Sequence, residues 1–178
     1  MSNQFQNTLA LHCSAVLTNL KASNLVNLNI SNNNKLYDDI ALLNKSMTIA
    51  CEILKETEKN ILLLIYNKKL LRKIINNKDN KLFLSNYNYH YKTLKEALGE
   101  LKNRMTNEVF PHEIGIFLDY PKEDIIGYIE HKKCLYTGYW KVYSQVDEKK
   151  CLFEAITNSK KKLLDMMNNG NGILNLIK

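Results

Sequence analysis

The chain has 178 residues, of which 45% are apolar and 24% charged, proportions that exclude a disordered or fibrous protein. No apolar run approaches the roughly 18 residues of a membrane span. The opening Met1-Ser2-Asn3-Gln4 lacks the basic and hydrophobic parts of a secretion signal, so the expectation is one cytoplasmic domain over 1–178 with no membrane contact. The net charge of +7 comes from residues 55–104, which carry twelve basic and five acidic groups, whereas 1–54 carry three of each and 105–178 ten of each.

Residues 3–20 read as a first helix built on Leu9, Leu11, Val16, Leu17 and Leu20, with Ser14 and Thr18 obscuring its end. Residues 25–30 set Val26, Leu28 and Ile30 against Asn27 and Asn29, the two-residue period of a half-buried strand. Asn32-Asn33-Asn34 reads as a loop. Over residues 37–58, Ile40, Leu43, Met47, Ala50 and Leu54 recur every three or four positions, which predicts one long amphipathic helix. The unbroken apolar run 61–66 suits a strand covered on both faces.

On a helical wheel, residues 68–76 separate Lys68, Lys69, Arg72 and Lys73 from Leu70, Leu71, Ile74 and Ile75. Leu94, Leu98, Leu101 and Met105 mark a further helix. Pro121 opens another, with Glu123 and Asp124 favourably placed in its first turn, running to about His131. Residues 135–143 predict a single strand, with Tyr136, Trp140 and Val142 on one face and Tyr139, Lys141 and Tyr143 on the other. Residues 147–168 predict a last helix that turns Leu152, Ile156, Leu163 and Met167 inward. Helices and strands without regular alternation indicate an α+β domain, with helices packed on a small mixed sheet.

Three chemistries compete for these residues. The leading one is a small-ligand site in which His112, Glu113, Tyr120, Tyr139, Lys141 and Tyr143 converge from two segments, since binding sites combine a few polar groups with aromatic walls. The second is a cysteine-dependent enzyme with Cys13 as nucleophile and His112 as general base, which needs Cys13 near a helix N-terminus to lower its pKa. A small buried thiol is the simpler account of Cys13. The third is a nucleic acid or acidic protein bound on Lys68, Lys69, Arg72 and Lys73, with Tyr87, Tyr89 and Tyr91 as a stacking surface. Against it, 23 of the 25 basic residues are lysine, and arginine is the residue suited to bidentate phosphate and base contacts. His12-Cys13 and His131-x-x-Cys134 lack the paired spacing of a zinc site, so no metal is expected, and the residues name no cofactor.

The segments Phe110-Pro111-His112-Glu113-Ile114-Gly115, Tyr120-Pro121 and Glu123-Asp124 are followed by Gly138-Tyr139-Trp140-Lys141-Val142-Tyr143. With His12-Cys13, Leu17 and Lys21 near the start, this pattern resembles the uncharacterised family called domain of unknown function 3793, from anaerobic Gram-positive bacteria. Where that family usually has glycine before Tyr-Pro, this chain has Asp119. Where relatives read Ala-Pro-Thr, it has Ser14-Ala15-Val16. The resemblance implies a compact cytosolic domain and no particular activity.

Overall fold

The computed structural model describes residues 1–30 and 35–173; the expected loop at Asn32-Asn33-Asn34 lies outside the described residues. Helix α1 (Asn3–Leu17) leads into strand β1 (Ser23–Asn29), helix α2 (Leu36–Asn44) and the paired strands β2 (Ile49–Glu56) and β3 (Asn60–Asn67). Helices α3 (Lys68–Asn76), α4 (Lys78–Ser85) and α5 (Leu94–Arg104) follow, then the single turn α6 (Ile114–Phe117) and α7 (Lys122–Ile129). A two-residue-per-strand hairpin, β4 (Tyr136–Thr137) and β5 (Lys141–Val142), precedes the long α8 (Val146–Asn168). No described helix is long and apolar enough to cross a membrane.

The larger sheet has the order β1-β3-β2 and is antiparallel throughout rather than mixed. Its central strand explains the apolar run. Ile61, Leu63 and Ile65 of β3 face a core shared with Phe5, Leu9 and Val16 of α1, with Leu36 and Leu43 of α2, and with Leu163 of α8. Leu64 and Tyr66 face the opposite core, with Leu71 and Ile75 of α3, Leu98 and Leu101 of α5, and Phe117 and Ile125 at the α6–α7 corner. A strand buried on both faces has no polar face to alternate with. A third cluster, formed by Ala15, Trp140, Val142, Phe153 and Ile156, seats the hairpin between α1 and α8.

Two expected elements are replaced. The long helix over 37–58 is α2 followed by β2. The Asn44 side chain accepts the Cys51 N–H at 2.8 Å, and the Ser46 hydroxyl accepts the Thr48 and Ile49 N–H groups at 3.2 and 3.1 Å. That turn ends the helix and feeds the chain into pairing with β3. Its apolar residues suit a strand equally well, since Cys51 enters the first core while Ala50 and Leu54 enter the second. The strand over 135–143 instead folds back on itself, with Tyr136 opposite Val142 and Thr137 opposite Lys141. Gly138 permits this, because a Cβ there would collide with the Phe153 ring.

Helix ends follow a repeated pattern. After α1, α4, α6, α7 and α8 the stop residues are Asn19, Asn88, Asp119, His131 and Gly170, with φ of 61°, 64°, 59°, 52° and 80°. In each, the stop residue's N–H bonds three residues back and the next N–H five residues back, as in Tyr120 N to Gly115 O at 2.9 Å. This is the Schellman arrangement, ordinarily closed by glycine. A non-glycine residue here bears a steric cost of roughly 1 kcal/mol. His131→Gly is therefore expected to stabilise the fold by up to about 1 kcal/mol, read as a higher urea midpoint with an unchanged m-value.

Candidate functional site

The site begins at the end of α5. Arg104 donates through Nε to Glu113 Oε1 and through Nη1 to the Tyr87 carbonyl at 3.0 Å. The Tyr89 hydroxyl donates to the same Glu113 oxygen at 3.4 Å, and its ring packs 5.7 Å from that of Phe117. Burial, followed by the Glu113 charge, pushes the Tyr89 phenol up. Glu113, 2% exposed, thus fastens the Phe110–Glu113 loop to the body of the domain, leaving His112 exposed beside it. The His112 ring stands edge-on to Tyr128 of α7 at 4.9 Å and lies 5.8 Å from Phe110.

The corner of α6 and α7 is tight: a Cβ on Gly115 would sit 2.6 Å from Ile125 Cγ1. The departure at Asp119 fits the turn, because aspartate tolerates the left-handed conformation. Its Oδ2 also accepts the Ala22 N–H at 2.9 Å, tying this corner to the start of β1. Asp124 of α7 is buried, with Oδ2 accepting the Trp140 indole N–H at 2.9 Å and Oδ1 accepting the Tyr143 N–H at 2.8 Å. That clamp docks the hairpin on α7 and fixes the indole. The Tyr120 ring stacks on Trp140 at 4.8 Å and 28°, and Lys141 Nζ lies 5.3 Å from the Tyr128 ring centroid.

These contacts enclose a cavity of about 280 Å³. Ile114, Leu118, Ile125 and Trp140, all nearly buried, form its inner walls, with Tyr120 beside them; exposed Phe110, His112, Tyr128 and Lys141 form its rim.

Of the residues read from the sequence, His112, Tyr120 and Lys141 border this cavity. Glu113 does not, being committed to Arg104 and Tyr89. Tyr139 and Tyr143 leave it because the chain turns at Gly138: the Tyr139 hydroxyl pairs with Thr157 Oγ1 at 3.1 Å, and the Tyr143 ring packs over Gly127. Phe110 joins His112, Tyr120 and Lys141 from the Phe110–Gly115 segment, whereas Tyr128 and Asp124 are not among the site residues the sequence suggests. Asp124 and Tyr128 stand one helical turn apart on the same face of α7, a spacing visible in the sequence. In the sequence Asp124 shows as a charge favourable to the helix dipole and as part of the family pattern, with no sign of its indole partner.

Cys13 is fully buried in the first core, toward the C-terminal end of α1 and away from the helix N-terminus that would lower its pKa. Burial pushes its thiol up to about 12, the opposite of an activated nucleophile, and no contact with His112 is present among the described residues. The tyrosine stacking surface is also absent. Tyr89 is buried, the Tyr91 hydroxyl donates to the Ile75 carbonyl at 2.6 Å, and Tyr87 packs on Phe83 at 5.3 Å. On α3, Lys68 is half-buried and donates to the Ser46 carbonyl at 2.6 Å, while Lys69, Arg72 and Lys73 are exposed. Among the described residues no three histidine, cysteine, aspartate or glutamate side chains gather as a metal site.

The fold and site together define an α+β domain carrying one aromatic-walled cavity between a helical corner and a docked hairpin. The chain belongs to the family described as Protein of unknown function (DUF3793), whose model matches residues 9–177. No curated protein and no solved structure matches it.

Proposed function

We propose that the protein binds a small planar anion, an aromatic body bearing a carboxylate or similar group, in the cavity between the α6–α7 corner and the hairpin. The observation that carries this reading is the cavity's division into an apolar, ring-walled interior and a rim holding Lys141 and His112. Aromatic walls also suit cations. Here, however, the one carboxylate in the wall, Asp124, has both oxygens occupied by Trp140 and Tyr143, and Lys141 already lies against Tyr128. An anion whose charged group stays at the wet rim leaves no buried charge unpaired. A volume of about 280 Å³ falls at the small end of ligand pockets. This is a binding role, with no covalent step assigned.

Calorimetry with 2-naphthoate, its neutral carboxamide and a naphthyl trimethylammonium salt tests the reading. The carboxylate should bind best. Lys141→Gln should weaken it about fivefold, the worth of one exposed charge contact, without weakening the carboxamide. Equal affinity for all three, or preference for the cation, overturns the reading.

A further inference from the structure

We propose that Lys21 is a positioning residue for this site, its ammonium lodged against the Tyr120 and Trp140 rings and holding that stacked pair in the orientation that walls the cavity. The inference rests on the ligand-binding reading above and adds the group that keeps its inner wall in place. Lys21 follows the end of α1, where its N–H donates to the Ala15 carbonyl at 3.0 Å. Its Nζ lies 4.7 Å from the Tyr120 ring centroid and 5.6 Å from that of Trp140. The residue is 5% exposed and contributes no surface to the cavity. Its ammonium makes no hydrogen bond or ion pair among the described residues.

An ammonium on a side chain so largely buried, with no acceptor from the protein, carries a desolvation cost that a methionine of similar length would avoid. The compensation present is the pair of aromatic rings, since a desolvated cation against such rings is strongly attracted. The charged and titratable groups around Lys21 are Asp119 on the turn after α6, Tyr120 next to it, and Cys13 on α1. Burial lowers the Lys21 pKa from its ordinary 10.5 to about 8, with Asp119 and then Cys13 opposing the shift. Burial raises the Asp119 carboxyl, opposed by the Ala22 N–H and by Lys21.

The sign of the pH effect separates positioning from plain stability. Between about pH 8 and 10.5 the unfolded chain still binds a proton that the folded chain has released, so Lys21 makes the fold more stable as pH rises. Over the same rise the amine loses its charge and its hold on the rings. Site affinity should therefore fall while stability does not.

Trp140 is the chain's one tryptophan, so its emission reports the wall directly. In ligand-free protein titrated from about pH 6.5 to 9.5, the emission should change with a midpoint near 8. Lys21→Arg, whose guanidinium stays charged, should abolish that step; Lys21→Met should show the alkaline emission throughout. The 2-naphthoate affinity should drop about tenfold across the step in the wild type, stay flat in Lys21→Arg, and be about tenfold weaker at pH 7 in Lys21→Met. Should either variant fail to fold, the wild-type lysine Cε carbon shift, followed by NMR, must titrate together with the emission. An emission step that persists in Lys21→Arg, or none near pH 8 in the wild type, overturns the proposal. If 2-naphthoate binds nowhere while the step appears and disappears as stated, the ligand reading fails and the Lys21 assignment stands.

Discussion

Arg104→Leu is expected to destabilise the protein by about 3 kcal/mol at neutral pH, because it strips the partner from a carboxylate that cannot reach water. Glu113 is 3% exposed in its side chain, whereas Arg104 is 29% exposed, so the penalty falls on the acid left behind. The Tyr89 hydroxyl remains as its only described donor, at 3.4 Å. The double variant Arg104→Leu/Glu113→Leu should recover most of the loss, since replacing a buried pair by apolar residues is often neutral. Denaturant melts of the four proteins in the cycle measure this. A single-variant loss below about 1 kcal/mol would mean that the His112 loop is not pinned through Glu113.

Asp124→Ala is the second large effect, expected at about 3 kcal/mol, because it leaves the buried Trp140 indole N–H and the part-buried Tyr143 N–H without acceptors. Asp124→Asn keeps one acceptor oxygen and should cost about half as much. Asp124→Ala should alter Trp140 emission in the folded protein, because the indole loses the oxygen that sets its direction. A stable Asp124→Ala protein with unchanged emission would refute the clamp.

The architecture was readable where a single physical cause dominated. The run 61–66 had no polar alternative, so β3 emerged as a strand buried on both faces. The wheel of 68–76 separated charge from apolar side chains, and α3 formed there. Reading failed where two structures suit the same residues. Ile49 to Leu54 satisfy a helical period and a strand equally, and the choice lies in hydrogen bonds from Asn44 and Ser46 that no periodicity reveals. Helix ends were obscured for a related reason. The chain has six glycines and 24 asparagines, and four of the five Schellman stops use asparagine, aspartate or histidine instead of glycine.

The site was partly readable for the same reasons. His112, Tyr120 and Lys141 were named from residue chemistry, and they border one cavity. Tyr139 and Tyr143 were assigned to it on the assumption of an unbroken strand, which the turn at Gly138 removes. Glu113 and Asp124 show that a carboxylate's role depends on what stands across from it. One is consumed by an arginine nine residues earlier in the chain, and the other by an indole that arrives sixteen residues later.

The first core joins α1 to α8, with Leu163 packed among Phe5, Leu9 and Val16, the Thr18 and Ser159 hydroxyls 2.9 Å apart, and the Ile173 N–H donating to Gln6 Oε1 at 3.2 Å. During synthesis the oily stripe of the first helix therefore waits for its α8 partner until Val146–Asn168 has left the ribosome. The packing of α1 is thus not complete before α8, and a nascent chain stalled before α8 would leave that part of the stripe uncovered, with α2 and β3 against the rest of it.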